Sequence, residues 1–298
     1  MNTPRISRRN TLHLLAGAAT ALPVVLQQRR STAGTGPTRF LAVADFGSGD
    51  ANQRAVGAQM ARVHQQRPVD LVILGGDNIY PSGDIALVTT TFQKPYRQLI
   101  AAGVPFHAVL GNHDIRTANG DPQVAYKGFG MKGRYYTLRE GLVEFFMLDT
   151  NVNADWKRQL PWLQQALSRS TAPWKVVVGH HPLYASGVYG NDPAAIRRLT
   201  PLFKRYGVAL YINGHEHHYE RSRDLAGTTY LVVGGGGAHL RPVFPSNTTA
   251  FARSTFSFAE LEATPTSLTI TGWDAKGQRI DQARLPLPSA RPTQPVKP

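Results

Sequence analysis

The stretch VDLVILGGDNIY, residues 69–80, decides the fold of this chain. An apolar, β-prone run stops at two glycines and continues into a carboxylate and, three residues later, a phenol. A buried strand is expected to end at Leu74, and the glycines would let the backbone approach another group closely. Asp77 is therefore expected at the carboxyl end of a strand, where open α/β sheets place their functional sites.

Four further blocks place a metal-binding side chain beside a glycine, and most of them also follow an apolar run. They are Asp45-Phe46-Gly47, Gly111-Asn112-His113-Asp114, Gly179-His180-His181-Pro182 and Gly214-His215-Glu216-His217. Hard oxygen and imidazole ligands delivered from several strand ends predict a site for two metal ions. Two adjacent metals favour displacement at phosphorus, because they stabilise both the attacking and the leaving oxygen.

Strand and helix patterns alternate along the chain, and from Thr228 onward the apolar period changes towards two. The fold class is therefore predicted to be α/β, a four-layer α/β/β/α sandwich of two mixed β-sheets flanked by helices. Four segments are expected: an export signal over residues 1–31, a linker over 32–37, the folded domain over 38–285, and a proline-rich, disordered tail over 286–298.

The composition of the 298 residues restricts the chemistry further. Hydrophobic residues make up 42%, which suits a globular core, and the absence of cysteine excludes thiolate ligands and disulfides. The net charge of +14 would attract anionic substrates. No basic run with interleaved aromatics appears, so no stable nucleic-acid partner is expected. The sequence carries no prediction of oligomeric state.

The N-terminus resembles a twin-arginine export signal. Arg8 and Arg9 precede an apolar stretch over residues 14–26, and small residues follow. That stretch is too short for a comfortable membrane span, so no permanent anchor is expected. A periplasmic or secreted location follows from this interpretation, and a general secretory signal is the alternative.

Asp45 and Asp77 are the candidate carboxylate ligands. Asp45 follows an apolar run and could be a terminal ligand, although an Asp at a strand end is often a turn former or helix cap. Asp77 could bridge two metals with its two oxygens. Tyr80, three residues later, could also serve in core packing with its hydroxyl at the surface.

The remaining candidates are an amide and several imidazoles. Asn112 could complete a coordination shell without adding charge. On an extended backbone His113 would point away from Asn112, toward the open side of the site, where it could protonate a leaving group. Asp114 could orient the His113 ring. The other candidate imidazoles are His180, His181, His215 and His217.

The ordered motifs Asp-x-Gly, Gly-Asp-x-x-Tyr, Gly-Asn-His-Asp, Val-x-x-His and Gly-His-x-His resemble the signature of the calcineurin-like metallophosphoesterases. The tyrosine narrows the resemblance to the purple acid phosphatases. Residues 145–150 and 217–221 are also similar to that family, so the resemblance covers roughly residues 38–285. The chain resembles the small, single-domain form of that family more than the larger plant form with an additional β domain.

The resemblance implies a dinuclear metal centre. Ferric iron would be held by Asp45, Tyr80 and His217. A divalent ion (Fe2+, Zn2+ or Mn2+) would be held by Asn112, His180 and His215, and Asp77 would be shared between the two. His113, Asp114 and His181 would be catalytic rather than ligating.

The implied activity is secreted acid phosphatase activity, the hydrolysis of small phosphate monoesters by a metal-bound hydroxide. Two alternatives stay open at this point. One is a metal-dependent phosphodiesterase on the same scaffold, and the other is a non-catalytic metal or phosphate binder.

Overall fold

The computed structural model describes Met1 and residues 36–288, so the predicted export signal and most of the predicted tail lie outside the described residues. Thirteen strands are described. They are β1 Thr38–Val43, β2 Leu71–Leu74, β3 Phe106–Ala108, β4 Tyr136–Glu140, β5 Val143–Met147, β6 Trp174–Val178, β7 Val208–Asn213, β8 Tyr219–Ser222, β9 Thr229–Val233, β10 Thr249–Arg253, β11 Ser257–Ala263, β12 Ser267–Asp274 and β13 Arg279–Pro286.

The α-helices are α1 Ala51–Gln66, α2 Arg97–Ala101, α3 Asp121–Ala125, α4 Trp156–Arg169 and α5 Pro193–Tyr206. The Asp50 carboxylate caps α1 by accepting from the backbone N of Gln53, and Gly207 ends α5 in a left-handed conformation. Among the described residues, no helix is both long enough and apolar enough to cross a bilayer.

Two mixed sheets form the centre of the fold. The six-stranded sheet has the order β13-β12-β11-β1-β2-β3, and its β1, β2 and β3 run parallel. The seven-stranded sheet has the order β10-β8-β9-β7-β6-β5-β4, with β5, β6, β7 and β9 parallel. Each sheet thus combines a parallel part with antiparallel strands.

Three apolar layers separate the elements. The first lies between the sheets and includes Phe40 of β1 and Phe145 of β5, whose rings meet edge to face. The second packs α1 against the six-stranded sheet through residues such as Met60. The third packs α4 and α5 against the seven-stranded sheet through residues such as Leu163 and Phe203. The predicted four-layer α/β/β/α sandwich is confirmed.

One predicted element differs from the structure. The sequence of residues 91–101 predicts one continuous helix, but the chain forms a short π-helix at Thr89–Gln93 and the separate short helix α2. Pro95 lies between them, and a proline cannot donate the backbone hydrogen bond that would continue the helix.

Candidate metal centre

Six of the seven candidate ligands lie just beyond the carboxyl end of a parallel strand, and Tyr80 lies farther along the loop after β2. In the six-stranded sheet, Asp45 follows β1, Asp77 follows β2 and Asn112 follows β3. In the seven-stranded sheet, His180 follows β6, and His215 and His217 follow β7. The hydrogen bonds below show that the two sets of strand ends meet, so the site lies across both sheets.

One group of donors surrounds the hydroxyl of Tyr80. This oxygen lies 2.9 Å from Asp77 Oδ2, 3.2 Å from Asp45 Oδ1 and 3.2 Å from His217 Nε2. Asp45, Asp77 and His217 also offer ligand atoms that all lie within 4.8 Å of one another. The structure therefore brings together the four side chains that the resemblance assigns to ferric iron.

A second group surrounds the side-chain oxygen of Asn112. It lies 3.1 Å from His180 Nε2 and 2.9 Å from His215 Nδ1. Asp77 Oδ2 lies 3.6 Å from His180 Nε2 while also bonding Tyr80. Asp77 thus reaches both groups, as a bridging carboxylate must.

Backbone carbonyls fix the tautomers of two of these imidazoles. His180 Nδ1 lies 3.0 Å from the carbonyl oxygen of Gly75, and His217 Nδ1 lies 2.7 Å from that of His239. A carbonyl oxygen can only accept a hydrogen bond, so Nδ1 carries the proton in both rings. The Nε2 lone pairs are then directed into the site, as in metal-binding histidines generally.

Burial and neighbouring charges set the protonation of the candidate ligands, and at His180 and His215 they favour cation binding. Burial lowers the pKa of His180 well below its ordinary value and the pKa of His215 to about 2, which keeps both rings in the neutral, metal-binding form. Burial raises the pKa of Asp45, although the nearby His217 opposes this. Burial lowers the pKa of His217, but its hydrogen bond to Asp45 outweighs that effect and leaves it raised.

The backbone is strained where it presents several of these side chains. Asp45, Asp77 and His215 have positive φ angles of 55°, 53° and 70°. Such conformations persist in residues other than glycine where the surrounding structure enforces them, often at functional sites. Glycines of neighbouring loops pack closely against these carboxylates. A Cβ added at Gly111 would lie 2.2 Å from Asp77 Oδ1, and one added at Gly214 would lie 2.2 Å from Asp45 Oδ2, so a larger residue would clash at either position.

The prediction that Asp114 orients His113 is wrong. Asp114 is buried, and its oxygens accept hydrogen bonds from the backbone of Asn78 and Gly111 and from the side chain of Gln123. Burial and the charge of Asp77 raise the pKa of Asp114 to about 7. Asp114 therefore braces the loops that carry the ligands.

His113 is oriented by different groups from those expected. Its Nδ1 lies 2.7 Å from the carbonyl oxygen of Pro81, and its Nε2 lies 3.2 Å from the Arg116 guanidinium. Its backbone is helical rather than extended, with φ −75° and ψ −35°, so the geometric reason given for its direction does not hold. The ring still lies at the site, 4.0 Å from Asp77 Oδ2 and against Tyr80.

His181 lies beside the second group of donors. Its ligand atoms lie within 4.8 Å of those of His180 and His215. Thr150 Oγ1 accepts from the backbone N of both His180 and His181, so its own proton is left to donate to His181 Nδ1, 2.9 Å away. In the neutral ring the proton then lies on Nε2, which presents a donor rather than a lone pair.

Sequence reasoning missed several residues that border the site. Tyr189 stacks on the ring of His215, and Arg241 donates to the carbonyl oxygen of His215. Arg116 contacts His113, and buried Glu216 binds the backbone that carries Tyr189. Glu216 lies inside the block 214–217 but was given no role there, whereas Tyr189, Arg241 and Arg116 belong to no local pattern of ligand and glycine.

Comparison with known proteins places this site in a family. Residues 38–219 match the model of the calcineurin-like phosphoesterases. Tartrate-resistant acid phosphatase type 5 of Oryctolagus cuniculus is 29% identical over 85% of this chain and 92% of its own length. Purple acid phosphatase 7 of Arabidopsis thaliana is 28% identical over 86% of this chain and 88% of its own.

Solved structures share the fold. The purple acid phosphatase PPD1 of yellow lupin (Lupinus luteus) superposes with a TM-score of 0.74 and 21% identity, covering 85% of this chain and 54% of the lupin chain. GAP50, described as the anchor in the inner membrane complex of Plasmodium, superposes with a TM-score of 0.76 and 20% identity, covering 86% of this chain and 90% of its own.

A two-sheet sandwich with oxygen and imidazole donors at its strand ends is the architecture of a metal-dependent phosphoesterase. The chain belongs to the calcineurin-like phosphoesterase family. Within that family it is similar to the purple and tartrate-resistant acid phosphatases, so the resemblance that the motifs predicted is confirmed.

Proposed function

We propose that this chain is an exported acid phosphatase that hydrolyses small phosphate monoesters at a dinuclear metal centre. The observation that carries the proposal is the position of Asp77 Oδ2, 2.9 Å from Tyr80 Oη and 3.6 Å from His180 Nε2, between two complete groups of donors. The relatives named acid phosphatases align over most of the chain and support the same reaction.

The donor chemistry fits two different ions. The group of Asp45, Tyr80 and His217 combines a carboxylate, a phenol and an imidazole, a hard set that suits ferric iron. The group of Asn112, His180 and His215 is neutral, and with a share of Asp77 it suits a divalent ion such as Fe2+, Zn2+ or Mn2+. Two ions bound here would activate water for attack on phosphorus and offset charge on the phosphate oxygens.

The chain itself contributes positioned donors around the substrate. His181, with its proton on Nε2, can donate to a phosphate oxygen on the side of the second group. His113 lies on the opposite, Tyr80 side, where it can assist the departing alkoxide. Arg116 beside His113 and Arg241 beside His215 add positive charge at the rim, which favours a dianionic substrate.

Export is part of the proposal because Arg8 and Arg9 precede an apolar stretch. Those residues lie outside the described part of the chain. A folded, metal-loaded precursor would not depend on metal supply outside the cytoplasm.

The decisive experiment is steady-state kinetics on full-length protein whose metal content has been measured. The expected result is two metals per chain and a much higher kcat/KM for 4-nitrophenyl phosphate than for bis(4-nitrophenyl) phosphate. Asp77→Asn is the matched variant, because it keeps the shape of the side chain but removes its negative charge. The variant protein should lose bound metal as well as activity.

Other outcomes would overturn the proposal in distinct ways. A preference for the diester would identify a phosphodiesterase on the same scaffold. Tight metal binding without turnover of either ester would identify a metal or phosphate binder.

A further inference from the structure

The segment Ser186–Gly190 presents an exposed aromatic ring at the edge of the candidate metal centre. The side chain of Tyr189 is 57% exposed, yet its ring lies only 4.4 Å from that of His215, at an angle of 21°. This stacked contact joins an accessible ring to a candidate ligand. Core packing does not account for so exposed a side chain.

Two buried carboxylates hold this segment in place. Glu216 accepts hydrogen bonds from the backbone N of Val188, Tyr189 and Gly190, and Glu220 accepts one from the backbone N of Ser186. Four backbone N–H groups within five residues therefore donate to carboxylates of the same segment that carries His215 and His217. The position of Tyr189 is set before any ligand arrives, and such preorganisation favours binding.

Arg241 fixes the same ring from another element. Its guanidinium carbon lies 4.9 Å from the centre of the Tyr189 ring, close enough for a cation–π contact. Its side chain donates to the carbonyl oxygen of His215, and its backbone N donates to that of His217. Arg241 is thus positioned by the same two residues that serve as candidate ligands.

Two more exposed apolar residues, Val188 and Phe244, belong to the segments around Tyr189. Val188 is 56% exposed and Phe244 is 66% exposed, and the backbone N of Phe244 donates to the carbonyl oxygen of Ser186. Three of the eight exposed large hydrophobic side chains among the described residues therefore lie on this one edge. Grouped exposed apolar side chains beside a polar site commonly mark a ligand-binding surface.

We propose that Tyr189 is a specificity-determining residue that contacts the leaving group of the substrate and favours flat, apolar groups over small polar ones. This inference rests on the proposed phosphatase function, since it assumes that the phosphate is held at the two donor groups. Tyr189 then forms the wall beside the phosphate on the side of His215, and Arg241 is a positioning residue that acts through the ring.

The test measures binding separately from turnover. Phenylphosphonate and methylphosphonate carry the same head group and resist hydrolysis, so their dissociation constants can be measured by calorimetry on the full-length, metal-loaded protein. Tyr189→Ala should weaken phenylphosphonate binding by about 3–10-fold relative to methylphosphonate, the range for loss of one aromatic contact. Tyr189→Phe is the matched variant and should keep the wild-type ratio, because it retains the ring.

Turnover provides the second readout. With phenyl phosphate and glycerol 3-phosphate, Tyr189→Ala should raise KM for the aryl ester more than for the alkyl ester. Equal weakening of both phosphonates would show that Tyr189 only supports His215. Unchanged affinities for both would show that Tyr189 does not touch the ligand, and either result overturns the inference. Failure of wild type to hydrolyse any monoester would instead overturn the proposed function, whatever the phosphonate ratio.

Discussion

The hydroxyl of Tyr80 hydrogen-bonds to Asp77 Oδ2 over 2.9 Å, which joins the phenol that the resemblance assigns to ferric iron directly to the predicted bridging carboxylate. Burial and the charges of Asp45 and Asp77 raise the pKa of Tyr80, so without a cation it stays a neutral phenol. A highly charged cation among these oxygens favours the phenolate instead. With ferric iron as that cation, as the resemblance implies, the phenolate would colour the protein, and the colour would report on occupancy of this group.

Replacing Tyr80 with Phe should abolish that colour. Wild-type protein is expected to be purple to pink through charge transfer from the phenolate to ferric iron, and Tyr80→Phe should bleach it while keeping the divalent metal. Visible spectra with metal analysis provide the measurement. A colourless wild-type protein that binds two zinc ions would refute the iron assignment.

Replacing His113 with Ala should slow the reaction without removing either metal. His113 lies at the site but belongs to neither group of donors, so we expect kcat to fall by about 10²–10⁴-fold for a poor leaving group. The loss should be smaller for nitrophenolate, which needs little protonation. Loss of one metal in this variant would show instead that the ring supports the centre structurally.

Replacing Glu216 with Gln should destabilise the protein and weaken its selection of leaving groups. The amide has only one oxygen to accept the three backbone N–H groups that the carboxylate binds, and a lost buried acceptor costs about 1–3 kcal/mol. Denaturant unfolding measures this free energy. Glu262→Gln is the control, since Glu262 forms partly exposed ion pairs with Arg39 and Arg67 and should cost less. Similar losses in the two variants would contradict the assignment of Glu216 as the anchor.

Replacing Glu220 with Gln should have an effect that depends on pH. Burial raises the pKa of Glu220, but hydrogen bonds from His218 and Ser186 outweigh burial and leave it lowered. A lowered carboxyl pKa contributes stability above the unfolded-state value, and this contribution is lost as pH falls through the folded-state value. The Tm difference between wild type and Glu220→Gln should therefore be largest near neutral pH and shrink in acid. A constant difference would mean that the charge contributes nothing.

Changing Arg8 and Arg9 together to Lys should leave active precursor in the cytoplasm. The expectation follows from the paired arginines before an apolar stretch, since a twin-arginine route exports proteins that are already folded. Cell fractionation with an activity assay and metal analysis is the measurement. Normal export of the variant, or of the wild type in cells lacking the twin-arginine translocon, would show an ordinary secretory signal.

Much of the fold and the candidate ligand residues could be predicted from the sequence because both depend on local patterns, whereas the division of those residues into two groups came from the family resemblance. An apolar run that ends at a glycine, as before Asp77 and His180, predicts a buried strand followed by a point where the backbone comes close to another group. Apolar alternation does not predict β13, because its exposed edge position permits charged residues such as Arg279 and Arg284 that break the alternation.

The rest of the site depends on contacts between distant segments. Asp114 looked like a partner for its neighbour His113, but the fold brings Asn78 and Gln123 to its oxygens. Tyr189 and Arg241 acquire their positions only when their loops meet above His215. The spacing of residues along the chain carries no information about such long-range contacts.

The candidate ligands are divided between the two sheets, with Asp45, Asp77 and Asn112 on one and His180, His215 and His217 on the other. Tyr80 also follows a strand of the first sheet, so a chain that has completed only one sheet offers at most four of the seven candidate ligands. Assembly of the sandwich must therefore come before full metal capture. Bound ions would then link one sheet to the other. Removing them should weaken the packing between the two sheets and expose apolar surface far from the site.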